Sequence, residues 1–146
     1  MANATDPAGK ILEKIPKNRV RDSAPELSNP NCFNVQGYKP ISSTSLTGLI
    51  DHLMVTQNCG VAAQSCTNVA CNPTSPAGDS IEFCSGINDR VERPCKVLVD
   101  GVRQIQAACQ GVYPEGENYI LGQYFGPGKE WNVVVRQKGS LCDKPK

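Results

Sequence analysis

Residues 94–136 read PCKVLVDGVRQIQAACQGVYPEGENYILGQYFGPGKEWNVVVR, and the first part of this stretch has the pattern of an amphipathic helix. Two cysteines and three aliphatic residues recur at three- and four-residue spacing, which places them on one helical stripe: Cys95, Leu98, Val102, Ile105 and Cys109. Pro94 suits the first turn of this helix, and Gly111 suits its C-terminal cap. The cysteines at the two ends of the stripe predict disulfide bonds that staple the helix to a sheet beneath it.

The second part of the same stretch predicts a β-hairpin. Residues 118–125 and 130–136 are rich in β-branched and aromatic side chains, and the turn sequence GPGK lies between them. Alternation along the second strand would place Trp131, Val133 and Val135 on one face of the hairpin.

Another helix is predicted upstream. Its apolar residues share one helical face: Leu46, Leu49, Ile50, Leu53 and Met54. The hydroxyl of Ser43, Thr44 or Ser45 can cap its start, and the helix should end near residues 58–60. Residues 80–84 alternate between apolar and polar and predict a strand. Two helices with an antiparallel sheet predict the α+β class, as a two-layer, disulfide-rich sandwich.

The chain divides into three parts by composition. Residues 1–31 contain no cysteine but several prolines and charges, which predicts a flexible N-terminal arm or a pro-segment, with one turn of helix over residues 11–15. A kexin-like protease could cleave after Arg21, and an uncleaved arm is the alternative. Residues 32–142 are predicted to form one disulfide-stapled domain, followed by a short polar tail at residues 143–146.

Two segments of this domain have weaker patterns. Residues 32–35 predict a first short strand. Residues 59–79 hold three cysteines among prolines and glycines, which predicts a disulfide-tied loop with a short helical turn over residues 61–70.

Cysteine is the most informative residue type of the chain. There are eight: Cys32, Cys59, Cys66, Cys71, Cys84, Cys95, Cys109 and Cys142. No two of them have C-x-x-C spacing, and His52 is the single histidine, so the usual ligand sets for zinc are missing and we predict no metal site. The cysteines instead predict a four-disulfide framework, whose pairing the sequence leaves open.

Composition and charge limit the cellular compartments and the classes of partner that are compatible with the sequence. Aromatic residues make up only 5% of the chain, and a core that thin usually needs covalent support. The disulfides predict a secreted, extracellular protein; no leader segment is visible, so we expect this to be the mature chain. A net charge of +1 does not favour nucleic-acid binding. No apolar run is long enough to span a membrane, and we expect a monomer without a cofactor.

The sequence predicts that the protein is not an enzyme. A Ser-His-Asp triad would need His52 as its base, and this residue stands beside the apolar stripe of the first predicted helix. With all cysteines oxidised, no thiolate remains as a nucleophile. The carboxylates of Glu82, Glu117 and Glu130 could support a small hydrolase, but no spacing among them favours catalysis over a solvated surface.

Aromatic residues concentrate between positions 113 and 131. They predict either a part of the core or an exposed recognition patch of Tyr and Trp. Together with one nearby cation, the candidate binding residues are Tyr113, Tyr119, Tyr124, Trp131 and Arg136.

The second half of the chain resembles a known family. Residues 80–84, the helix from Cys95 to Cys109, the turn sequence at residues 113–118 and two further strands follow one another as in killer-toxin-like α/β sandwiches and related cysteine-rich effectors that fungi release into plant tissue. The resemblance covers residues 80–136.

This resemblance implies a secreted effector or toxin that acts by binding a protein or glycan of a host or competitor. Two alternatives stay open. One is a carbohydrate-binding or protease-inhibitor module that uses the aromatic cluster or a disulfide-braced loop, and the other is a small hydrolase.

Overall fold

The computed structural model of the protein describes residues 3–5, 11–13, 29–32, 38–72 and 78–137. These residues form two α-helices and a set of short and long antiparallel strands. In chain order the elements are β1 (Asn3–Thr5), β2 (Ile11–Glu13), β3 (Ile41–Ser42), α1 (Ser43–Met54), β4 (Asn58–Val61), β5 (Cys66–Cys71), β6 (Asp79–Ser85), β7 (Val91–Pro94), α2 (Cys95–Cys109), β8 (Tyr119–Ile120), β9 (Gly122–Phe125) and β10 (Trp131–Gln137).

Helix α1 forms where the apolar periodicity predicts it. The Ser42 hydroxyl accepts a hydrogen bond from the Ser45 backbone N–H at 3.1 Å and caps the helix. The buried face consists of Leu46, Leu49, Ile50 and Leu53. The inclusion of Met54 in this face was wrong, because Met54 is 55% exposed. At 3.6 residues per turn, its side chain points about 90° away from the centre of the stripe.

Helix α2 also confirms its sequence signals. It begins directly after Pro94, and Gly111 follows its C-terminal end with a φ of 83°, the left-handed conformation that glycine adopts easily. The predicted stripe is buried throughout, and Gly101 is buried beside it.

The main sheet has four antiparallel strands in the order β5-β6-β10-β9. The predicted hairpin is confirmed as β9 and β10, which are joined through a 3₁₀ turn at Pro127–Lys129. Phe83 of β6 pairs with Val133 of β10, and these side chains belong to the face that packs against the helices. Helix α1 contacts β5 and β6, α2 contacts β9 and β10, and the helices contact each other. The fold is therefore an α+β, two-layer sandwich.

Three short two-stranded pairings complete the described structure. β3 pairs with β8, β4 with β7, and β1 with β2. The last pairing contradicts the expected turn of helix over residues 11–15, because residues 11–13 are a strand. The helical turn expected over residues 61–70 was also wrong, because β5 is the edge strand of the main sheet. Of the predicted strand at residues 32–35, all but Cys32 lies outside the described residues.

Disulfide bonds tie these elements together. Three are Cys32–Cys109, Cys59–Cys95 and Cys66–Cys84. Cys71 is disulfide-bonded as well, and Cys142 lies outside the described residues. Both ends of α2 are therefore stapled, one to β4 and the other to Cys32. The chain beside Cys32 lies on the sheet edge, because Asn31 exchanges two backbone hydrogen bonds with Gln123 of β9 at 2.7 and 2.9 Å.

Neither α1 nor α2 is long and apolar enough to cross a membrane, and they are the helices of the part of the chain that the structure describes.

Candidate functional site

A groove of about 530 Å³ runs along α1 where this helix meets the β5–β6 end of the sheet. Its walls combine polar and apolar surface. The lining residues are Ser42, Thr44, Ser45, Gly48, Leu49, His52, Cys71, Asn72 and Asp79. We call this feature the α1 groove and treat it as the candidate functional site.

The helix wall of the α1 groove follows from the spacing of its residues. Ser45, Gly48 and His52 are three and four residues apart, so they form a second stripe beside the buried apolar one. Gly48 has no side chain, and a Cβ atom at this position would have no atom within 4 Å. The helix surface at Gly48 therefore leaves space in the groove. The α1 groove is therefore open to a ligand along two helical turns.

The sheet wall is formed by the ends of β5 and β6. The Asn72 backbone N–H donates to the Asp79 carbonyl oxygen at 2.9 Å. The Asn72 side-chain amide donates to the Ser45 hydroxyl at 3.3 Å. This second bond joins the two walls, and the disulfide-bonded Cys71 anchors the backbone beside it. The walls are therefore preorganised by covalent and hydrogen bonds.

Asp79 is the charged residue of the sheet wall. Strand alternation places it on the same face of β6 as Ile81 and Phe83, which pack under the helices. Its side chain is accordingly buried, with 8% of the residue exposed. The ion pairs that the structure describes do not include it. A carboxylate thus faces the α1 groove without a described cation beside it.

The α1 groove does not have the geometry of a Ser-His nucleophile. Ser45 and His52 are seven residues apart on one helix, about 10 Å along its axis, whereas a Ser-His pair must be within hydrogen-bond distance. Among the described residues there is also no group of three or more His, Cys, Asp or Glu side chains that could hold a metal ion. The groove offers hydrogen-bond acceptors, a carboxylate and apolar surface, which suits binding.

The structure places two of the candidate aromatic residues in the core. Trp131 is 2% exposed and packs edge-on against Phe83, with 5.8 Å between ring centroids. Tyr113 is 6% exposed, and its hydroxyl donates to the Leu121 carbonyl oxygen. Tyr119 and Tyr124 are half-buried. These four residues offer a ligand little accessible aromatic surface.

Arg136 lies on the other face of the sheet. Its guanidinium donates to the Glu82 carboxylate at 2.9 Å and lies over the Tyr38 ring at 4.3 Å. Two of the candidate hydrolase carboxylates, those of Glu82 and Glu130, lie far apart. Glu82 is opposite Val134 in register, about 13 Å along β10 from Glu130.

Glu130 pairs with Arg93 at 3.2 Å, and Glu117 is exposed.

Sequence reasoning did not find the α1 groove, although one signal was present. Asp79 immediately precedes the strand predicted at residues 80–84, and its spacing of two from Ile81 places it in line with the apolar face of that strand. No protein-family model, curated protein or solved structure matches this chain significantly.

Proposed function

We propose that this protein is a secreted, cysteine-rich effector-like or toxin-like protein that binds a target of a host or a competitor through the α1 groove. The observation that carries the proposal is a preorganised groove, lined by polar side chains and a carboxylate beside apolar surface, in a small, disulfide-stapled fold. Disulfides of this density are typical of proteins that work in oxidising extracellular surroundings, and a rigid site loses less entropy on binding.

The state of the residues that could act in catalysis supports binding rather than a chemical reaction. Every described cysteine is oxidised, so none is available there as a nucleophile. Glu82 is neutralised by Arg136, and Ser45 and His52 are too far apart to act as a pair. What remains in the α1 groove is a set of fixed polar atoms, which recognises a partner by hydrogen bonds and charge.

The test compares three forms of the purified, oxidised protein on leaf tissue and on competing fungi. Gly48→Gln places a long side chain in the α1 groove, and Thr47→Gln is the matched control at an exposed position of the same helix. We expect the wild type and Thr47→Gln to cause cell death, a defence response or growth arrest at the same dose. Gly48→Gln should need at least a fivefold higher dose.

Circular dichroism of the three forms should agree, so that a lost response reports the groove and not the fold. Absence of any response to the wild type, together with binding on a glycan array or inhibition of a protease, would replace the proposal by a binding or inhibitor module. If the protein hydrolysed a polysaccharide or a peptide, the proposal that it acts by binding alone would be overturned. An unchanged response to Gly48→Gln would remove the α1 groove from the proposal.

A further inference from the structure

We propose that the α1 groove receives an arginine side chain of a partner protein, with its guanidinium on the Asp79 carboxylate. The inference rests on the proposed function, because it names the chemistry that the target would present to the same groove.

A buried carboxylate needs a partner. Removing an ionised group from water costs several kcal/mol or more unless a cation or hydrogen-bond donors replace the water. Asp79 is 8% exposed, yet the described ion pairs are Arg90–Glu92, Arg93–Glu130 and Arg136–Glu82. The neighbouring segment PTSPA, residues 73–77, contains no charged residue. We assign the cation that would pair with this carboxylate to a partner protein.

The surroundings explain how the carboxylate is tolerated before the partner binds. The first turn of α1, from Ser43, borders the same groove and presents the positive end of the helix dipole to it. This field favours a negative charge at Asp79. It does not occupy the carboxylate lone pairs, which stay available for a donor.

The other lining residues favour a guanidinium group over an ammonium group. Ser42 and Thr44 add hydroxyl oxygens to the same groove as Asp79, and Leu49 with the bare backbone at Gly48 offers an apolar strip. A guanidinium has five N–H donors in a plane and binds a carboxylate through two parallel bonds. The arginine methylenes would cover the apolar strip, as such stems commonly do. An ammonium group has fewer donors and a fixed point charge, so lysine should bind less well.

The size of the groove favours a polypeptide over a free amine. About 530 Å³ exceeds what one side chain fills, and the opening along two turns of α1 has room for the flanking backbone. The occupant is thus an arginine within an extended, accessible segment of a partner.

The experiment measures peptide binding by NMR titration of the ¹⁵N-labelled, oxidised protein at neutral pH. The probes are acetyl-Gly-Arg-Gly-amide, its citrulline analogue, which is neutral and nearly isosteric, and its lysine analogue. We expect saturable shifts of the Ser45, Gly48 and Asn72 amides with the arginine peptide. The citrulline peptide should bind at least tenfold more weakly, and the lysine peptide should lie between them.

Three variants locate the interaction. Asp79→Asn should weaken the arginine peptide at least tenfold and make it equal to the citrulline peptide. Asp51→Asn removes the same charge from an exposed position of α1 outside the groove and should leave binding unchanged. Gly48→Gln keeps Asp79 intact but obstructs the groove, so it should also abolish binding. The last variant keeps the test decisive if Asp79→Asn unfolds.

Equal binding of the arginine and citrulline peptides, or full binding to Asp79→Asn, would overturn the inference. Tighter binding of arginine amide or spermidine than of the peptide would replace the partner protein by a small amine. If the wild type acts on tissue while Asp79→Asn acts equally well, this inference fails and the proposed function stands. If the wild type has no biological effect, the proposed function fails whichever peptide binds.

Discussion

The Glu82 carboxylate and the Arg136 guanidinium form an ion pair that is largely removed from water. Their side chains are 8% and 17% exposed, and the atoms that pair are 2.9 Å apart. Tyr38 adds its ring to the other side of the guanidinium. Charges held this way contribute little compared with a well-packed apolar pair, but each depends on the other, because a lone buried charge is costly.

Arg136→Met should therefore lower the free energy of unfolding by about 3 kcal/mol. The combination of Arg136→Met with Glu82→Met should recover most of this loss, since no charge is then left unpaired. Equilibrium denaturation with guanidinium chloride, with the disulfides intact, measures both values. Arg93→Met is the matched control, because the Arg93–Glu130 pair is far more exposed and its loss should barely move the midpoint. Equal costs for the two single variants would contradict the expectation.

Single residues also mark the limit of sequence reasoning about the site. The eight cysteines and the lone His52 indicate disulfides rather than a metal site from the sequence alone. Asp79 carried a readable signal, but its meaning depends on Asn72 and Ser45, which β5 and α1 bring to it from elsewhere in the chain. These residues are brought together by the pairing and packing of separate elements, and such contacts produce no pattern in the local sequence.

At the scale of elements, the sequence predicted what local periodicity controls. Both helices and the final hairpin carry their apolar residues at helical or strand spacing over many positions, so their signals are strong. The β4–β7 pairing joins Asn58–Val61 to Val91–Pro94, and β5 pairs with β6. Short strands stabilised by distant partners and by disulfides have weak local signals, and these are the elements that were missed.

Substitution of two helical glycines by alanine should change the free energy of unfolding in opposite directions. A Cβ atom at Gly101 of α2 would lie 2.5 Å from Cδ2 of Tyr124 on β9, whereas one at Gly48 of α1 would meet nothing within 4 Å. Gly48→Ala should raise the free energy of unfolding by up to about 1 kcal/mol through helix propensity alone. Gly101→Ala should lower it by about 1–2 kcal/mol, because the overlap with the ring outweighs that gain.

Chemical denaturation of both variants tests the pair, and a third protein checks the cause. In a Tyr124→Leu background the ring is gone, so adding Gly101→Ala should be nearly neutral. Destabilisation of the same size in both backgrounds would show that Tyr124 is not what Gly101 accommodates.

The disulfide bonds of the molecule close loops of very different length. Their contributions to stability should therefore differ. Cys32–Cys109 closes a separation of 77 residues and joins the strand-edge segment before β3 to the end of α2, whereas Cys66–Cys84 closes 18 residues between strands that already pair. Loop-closure entropy assigns about 4–5 kcal/mol to the first and about 3 kcal/mol to the second. Replacing both cysteines of Cys32–Cys109 by alanine should therefore lower the melting temperature by several degrees more than the same change at Cys66–Cys84. Calorimetry of the two double variants measures the order, and a reversed order would mean that the native sheet, and not the unfolded chain, is what the bridges chiefly act on.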